Sequence, residues 1–236
     1  MKGKFYGIGV GPGDPELMTL KAVKTLERCA CIAVPKTMEE KESLALSIAR
    51  QVITEEKEIL DLVFPMTHNK EKLDQSWAAA AEKITGCLDQ GKNVALITLG
   101  DPSVYSTCMY VLKKLQEMEY EVEMIPGITS FCASAARAGI SLAENRETLA
   151  VIPSAYDFTA LDQVLDTFDN VVMMKVSAKL QQVKEKLYEK GLDKQVVTVS
   201  RCGLEGEKIH YGLDGMEEES VSYFTTMIVK KNGRIQ

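Results

Sequence analysis

Histidine is almost missing from this chain: 236 residues hold only two, His68 and His210. No HExxH, GxSxG or Walker GxxxxGKS/T pattern occurs, so the zincin, serine-hydrolase and P-loop readings lack their sequence support. Six cysteines are present, but no two are spaced as CxxC. Cys29, Cys31, Cys87, Cys108, Cys132 and Cys202 read as free thiols of a reducing compartment, and no metal site is expected. No apolar run approaches the ~18 residues of a membrane helix. The start, MKGKFYGIGVG, is too short and glycine-rich for a signal peptide. A cytoplasmic protein without a membrane partner is therefore expected. An excess of basic charge is lacking too. The 28 basic and 34 acidic residues leave a net charge of −6, which disfavours nucleic acid as a partner. Repeats and low-complexity tracts are absent.

What the chain does have is a regular alternation. Strand-like segments at 4–10, 31–35, 58–64, 93–98 and 121–125 are separated by helical periodicity at 42–53, 71–90, 103–117 and 129–138. The helix after the first strand has two candidate starts, Asp14-Pro15 and Thr19, with Leu20, Val23 and Leu26 recurring at helical spacing. Val104, Cys108, Val111, Leu112 and Leu115 form the apolar stripe of helix 103–117. NVALIT at 93–98 is apolar without alternation, as in a strand covered on both faces. The class is α/β, with a mostly parallel sheet over residues 1–143. ENRE at 144–147 reads as a polar linker into a second α/β domain, 147–236. There the strands TLAVIP, VVMMKV and VVTVS are separated by helices at 158–167 and 178–190. IHYG and YFTTMIVKK lack helical spacers, so antiparallel pairing and a mixed sheet are expected.

Three loops follow strands of the first domain: GVGPGD after the first, LGDPSVYST after the fourth and PGITS after the fifth. Ligands of open α/β sheets sit beyond the carboxyl ends of the strands. The first loop fails the GxGxxG register from Gly7, Gly9 and Gly11 alike, which weakens a nucleotide-dependent oxidoreductase. Its glycines allow backbone to approach something closely, or simply make a tight turn. Asp101 and Ser103 suit a helix cap as well as a ligand. None of the loops holds Lys or Arg. Backbone groups, carboxylates and the Thr129 and Ser130 hydroxyls suit a cationic, zwitterionic adenosine compound such as S-adenosylmethionine better than a triphosphate.

Together GVGPGDPELMTLKA, TLGDPSVYST and IPGITSFCASAARAGI resemble the tetrapyrrole (corrin/porphyrin) methyltransferase family. FPMT, MMKVS, SRCGLEGEKI and YFTTMIVKK narrow the likeness to the branch methylating C-20 of precorrin-2 or cobalt-factor II in cobalamin biosynthesis. The resemblance implies two α/β domains, S-adenosylmethionine in the cleft between them, S-adenosylhomocysteine as product, and a homodimer. It implies cofactor contacts from Leu99, Gly100, Asp101, Val104, Tyr105, Thr129 and Ser130, and from Met174, Lys175, Cys202, Gly203, Thr225 and Thr226. It implies that Gly11, Pro12, Gly13 and Asp14 line a trough for the tetrapyrrole substrate. Asp101 and Tyr105 are candidate proton acceptors. A basic trough is expected for the substrate carboxylates, with Lys36 first and Arg137, Lys175 and Arg201 after it. Alternatives are the same chemistry on another tetrapyrrole carbon or on diphthine, and a non-catalytic tetrapyrrole-binding protein.

Overall fold

The computed structural model describes residues 1–37, 43–67, 69–153 and 158–232; His68 and the first residue of the helix expected at 42–53 lie outside the described residues. By contacts the chain forms two compact units, Met1–Thr129 and Ser130–Gln236.

In the first unit, strands β1 (Phe5–Gly9), β2 (Cys31–Lys36), β3 (Glu58–Val63), β4 (Val94–Thr98) and β5 (Val122–Ile125) form a parallel sheet in the order β3-β2-β4-β1-β5. Its helices are α1 (Leu20–Arg28), α2 (Leu44–Ala49), α3 (Lys70–Leu88) and α4 (Cys108–Glu117). Val94 and Leu96 of β4 pack with residues of α3 and α4, while Ala95 and Ile97 pack with α1 and α2. That double cover is why NVALIT shows no polar alternation. Pro35 is tolerated inside β2 because pairing with β4 stops at Ala33. The N–H that proline lacks faces the side where β4 has ended.

Both candidate helix starts are used. Asp14 accepts the Glu16 N–H at 2.9 Å and caps a 3-10 turn, Pro15–Leu17. Thr19 accepts the Ala22 N–H at 3.1 Å and caps α1. The inward face of α1 is Ala22, Thr25 and Leu26, and Leu20 is 78% exposed rather than inward. Leu20 edges a hollow of about 340 Å³ with Tyr6, Lys21, Lys24, Arg28 and Glu123, on the flank of the sheet. Helix α4 begins at Cys108, later than the expected 103. Tyr105 has φ +48°, a left-handed conformation that interrupts helix. Val104 therefore precedes the stripe it was expected to join.

In the second unit, α5 (Ser130–Arg137), β6 (Leu149–Pro153), α6 (Phe158–Thr167), β7 (Asn170–Met174), α7 (Leu180–Glu189), β8 (Val196–Ser200), β9 (Lys208–Tyr211) and β10 (Thr225–Lys230) follow in chain order. The sheet order is β6-β7-β10-β8-β9. Only β6 and β7, joined through a helix, pair in parallel; β10 with β7, β10 with β8 and β8 with β9 are antiparallel, as the missing spacers require. Helices α6 and α7 cover one face around Met173, Val196, Met227 and Val229, and α5 packs against β10. ENRE is more than a polar linker. Glu147 accepts hydrogen bonds from the Glu144 N–H and the Asn170 amide, each at 2.9 Å, and from the Lys230 ammonium at 3.2 Å. Lys230 is buried and also meets Glu144 at 3.4 Å, so the pairing places no lone charge in the interior.

Candidate active site

The three loops leave the carboxyl ends of the adjacent strands β4, β1 and β5 and interlock through their backbones. Gly11 donates its N–H to the Gly100 carbonyl at 3.3 Å, and Gly100 donates back to Gly11 at 2.7 Å. A Cβ on Gly9 would stand 2.4 Å from the Gly100 oxygen and 2.8 Å from the Gly127 Cα. One on Gly127 would stand 2.2 Å from the same oxygen. What these glycines approach closely is one another. Gly11 itself has φ +78°, a region open to glycine at little cost.

Asp101 completes the lock. Its Oδ2 accepts the Gly127 N–H at 2.9 Å, and its Oδ1 accepts the Ser103 N–H at 2.8 Å and the Ser103 hydroxyl. The carboxylate thus closes a turn and ties the second loop to the third; it does not cap α4. At the head of α4 it is the Ser106 hydroxyl that accepts the Cys108 N–H, at 3.2 Å. Tyr105 is 49% exposed at the tip of the loop. Gly11, Pro12 and Gly13 are buried, so they offer no bare surface, and the Asp14 carboxylate is occupied by its cap. Thr129 differs from these: its hydroxyl is buried and has no hydrogen-bond partner among the described residues. A buried hydroxyl is rarely left so, and an adenosylmethionine-sized ligand with carboxylate, ammonium and ribose groups can satisfy it. A loop set without Lys or Arg also suits a sulfonium cation.

The expected basic residues are largely committed elsewhere. Lys36, at the end of β2, pairs with Asp61 at 2.8 Å. Arg137 grips Glu207 with Nε at 2.9 Å and a terminal nitrogen at 2.6 Å. Arg201 donates to the Glu205 carbonyl at 2.8 Å, and the Lys175 ammonium stands 5.2 Å from the centre of the Tyr223 ring.

In the second unit the structure gathers the ends of three strands at one edge. Met174 closes β7 opposite Thr226, and Thr225 opens β10 opposite Ser200, which closes β8. The Thr225 hydroxyl donates to Ser200 at 2.9 Å and accepts the Ser222 N–H at 2.9 Å. Thr225 and Thr226 are buried, so Thr225 fixes this edge from within. Lys175 and Arg201, just past β7 and β8, have φ +60° and +55°. Strain of this kind persists where the surroundings over-determine it. Gly203 donates its N–H to Glu207 at 2.7 Å. The Arg137 guanidinium, first of all, holds the Glu207 carboxyl below the usual carboxylate range. Burial pushes the Cys202 thiol up, so it stays protonated and unreactive. Glu207, Ser200 and Ser222 were not singled out in the sequence. The only signal was the SRCGLEGE run, where an acid trails a glycine turn.

Residues 4–213 match the model of the tetrapyrrole (corrin/porphyrin) methylases. The chain belongs to that family. It is 39% identical, across 97% of its length and 96% of the relative's, to a protein of Methanocaldococcus jannaschii named as a probable cobalt-precorrin-2 C(20)-methyltransferase. Across 98% of both chains it is 34% identical to the cobalt-precorrin-2 C(20)-methyltransferase of Salmonella typhimurium. Among solved structures, uroporphyrin-III C-methyltransferase of Thermus thermophilus, complexed with S-adenosylhomocysteine, superposes with a TM-score of 0.67 at 19% identity, covering 97% of this chain and 98% of that one. That likeness carries the fold.

Proposed function

We propose that this methylase transfers a methyl group from S-adenosylmethionine to the C-20 meso carbon of cobalt-precorrin-2 or its metal-free or cobalt-factor II counterpart, in cobalamin biosynthesis. The near-full-length identity to two curated C(20)-methyltransferases carries the choice of substrate carbon. The glycine-locked loops with the unpartnered Thr129 hydroxyl support the choice of methyl donor. S-adenosylmethionine, when bound, supplies a methyl group on a sulfonium leaving group.

The protein's own residues bind and orient. Leu99, Gly100, Asp101, Val104, Tyr105 and Thr129 are assigned to the cofactor. Ser130, Met174, Lys175, Cys202, Gly203, Thr225 and Thr226 are assigned to it as well. Gly11, Pro12, Gly13 and Asp14 serve the substrate indirectly, by holding the first loop in shape, and Lys36 serves it by exchanging Asp61 for a substrate carboxylate. Asp101 acts chiefly by fixing Gly127 and Ser103, with its charge left to complement a cation. Orientation of this kind supplies about 7–11 kcal/mol of a transfer barrier. Asp101 and Tyr105, the latter exposed at the loop tip, are the candidate proton acceptors. The protein works as a cytoplasmic homodimer; no helix among the described residues is long and apolar enough to cross a membrane.

The test is turnover with methyl-labelled S-adenosylmethionine and precorrin-2, cobalt-loaded and metal-free side by side. A product one methyl heavier, with the label at C-20, is the expected outcome. Label at another carbon, or no transfer to either macrocycle, overturns the proposal.

A further inference from the structure

Two cysteines that the sequence separates by 56 positions meet at the amino-terminal rim of the first sheet, the end opposite the loops. Cys31 opens β2 and Glu58 opens β3, and the two are paired neighbours in the ladder. Cys87 lies in the last turn of α3, which covers that face. The two Sγ atoms and a Glu58 carboxylate oxygen all lie within 4.8 Å of one another. The Cys31 thiol donates to that carboxylate at 3.4 Å, and the Lys92 ammonium holds the same oxygen at 2.9 Å. Both thiols are buried and free, while Glu58 reaches solvent.

We propose that Cys31, Cys87 and Glu58 form a binding site for a thiophilic divalent cation of the zinc class. Tetrahedral zinc with sulfur at ~2.3 Å and oxygen at ~2.0–2.2 Å sets its ligands about 3.5–3.8 Å apart, so closure asks for about an ångström of side-chain movement. Two thiolates and a carboxylate are a borderline-soft donor set that selects such a cation over magnesium or calcium. Water takes the fourth position through the exposed Glu58 side. On binding, the two S–H protons leave to solvent. The resulting cluster of two thiolates, one carboxylate and a dication carries one negative charge, and Lys92 neutralises it. That charge match sets this group apart from an ordinary pair of core cysteines. The cation would pin β2, β3 and the end of α3 together, remote from the methyl-transfer loops.

The test uses the reduced, metal-stripped full chain titrated with Co²⁺ as a spectroscopic stand-in, without tetrapyrrole. One equivalent should bind, with a thiolate-to-cobalt charge-transfer band and the strong visible bands of four-coordinate cobalt, and zinc should displace it. Cys31→Ser and Cys87→Ser should each lose the bands, while Cys132→Ser, at the exposed cysteine, keeps them. Glu58→Gln, at an exposed position, should fold normally and bind at least about tenfold more weakly, and Lys92→Met should weaken binding by about 10–100-fold. Absence of thiolate–cobalt bands in the unaltered protein overturns the proposal. So does their persistence in Cys87→Ser, or unchanged affinity in Glu58→Gln.

Discussion

Gly127→Ala tests whether the loops are locked to each other by bare backbone. An added Cβ would lie 2.2 Å from the Gly100 oxygen and 2.9 Å from the Cα and carbonyl carbon of Gly9. All three are backbone atoms, so no flexible side chain can swing away. Ordinary contact begins at 3.4 Å, and the Gly100 segment must retreat by about 1.2 Å in an already filled space. That retreat strains the paired hydrogen bonds between Gly11 and Gly100, each worth roughly 1 kcal/mol net. With about 1–3 kcal/mol for overpacking, the expected cost is about 3 kcal/mol. At ~2–4 °C per kcal/mol for a chain of this size, Tm should fall by about 10 °C. Thermal unfolding followed by circular dichroism measures it, and calorimetry with S-adenosylhomocysteine should show weakened binding. Gly86→Ala is the matched control, since its Cβ would meet nothing within 4 Å inside α3; there helix propensity should add about 0.8–1.0 kcal/mol. A Gly127→Ala protein that melts with the unaltered one and binds as tightly would refute the interlock.

Asp101→Asn turns an acceptor facing the Gly127 N–H into a group with one oxygen for two tasks. A charge-assisted bond of about 1.5–3 kcal/mol is at stake, so cofactor affinity and turnover should both drop at least tenfold, and unchanged values for both remove Asp101 from the site. Asp61→Asn releases Lys36 from its 2.8 Å pair. If Lys36 serves the substrate carboxylates, KM for the macrocycle should fall and its salt dependence steepen, whereas an unaltered KM assigns Lys36 to the pair alone. The Glu147 carboxyl is held below its usual range, first by Asn170, then by the Glu144 N–H and Lys230. A depressed folded value means the stabilisation is complete above the ordinary glutamate range and drains away as pH falls below it. Denaturant titrations should show Glu147→Gln less stable near neutrality, with the gap to the unaltered protein closing in acid; a gap constant with pH argues against the ion pair.

The alternation of strands and helices was legible because burial writes itself into hydropathy, as NVALIT shows. The three loops could be picked out as a set because each is a glycine–proline break after a strand of the first sheet. Their partners could not. Nothing in GVGPGD or PGITS says that Gly9 and Gly127 meet the Gly100 carbonyl, since a missing side chain leaves no mark of what fills its place. Val104 fitted the stripe of α4 by spacing, and only the left-handed Tyr105 excludes it. Lys36 read as a free cation because Asp61 stands on the neighbouring strand. Lys230 and Glu147 lie 83 residues apart, and Cys31 and Cys87 belong to different elements. Pairings of that range are set by topology, which local pattern does not report.

The place of β10 bears on how the protein is made. It is the last strand in chain order of the described residues, yet it lies between β7 and β8. A nascent chain leaving the ribosome can complete the first parallel sheet once β5 has emerged, with just over half of the residues made. The second sheet must wait as two separate pairs, β6 with β7 and β8 with β9, until residues 225–230 emerge to join them. Translation stalls between β8 and β10 should therefore be the moment when this protein most needs a chaperone.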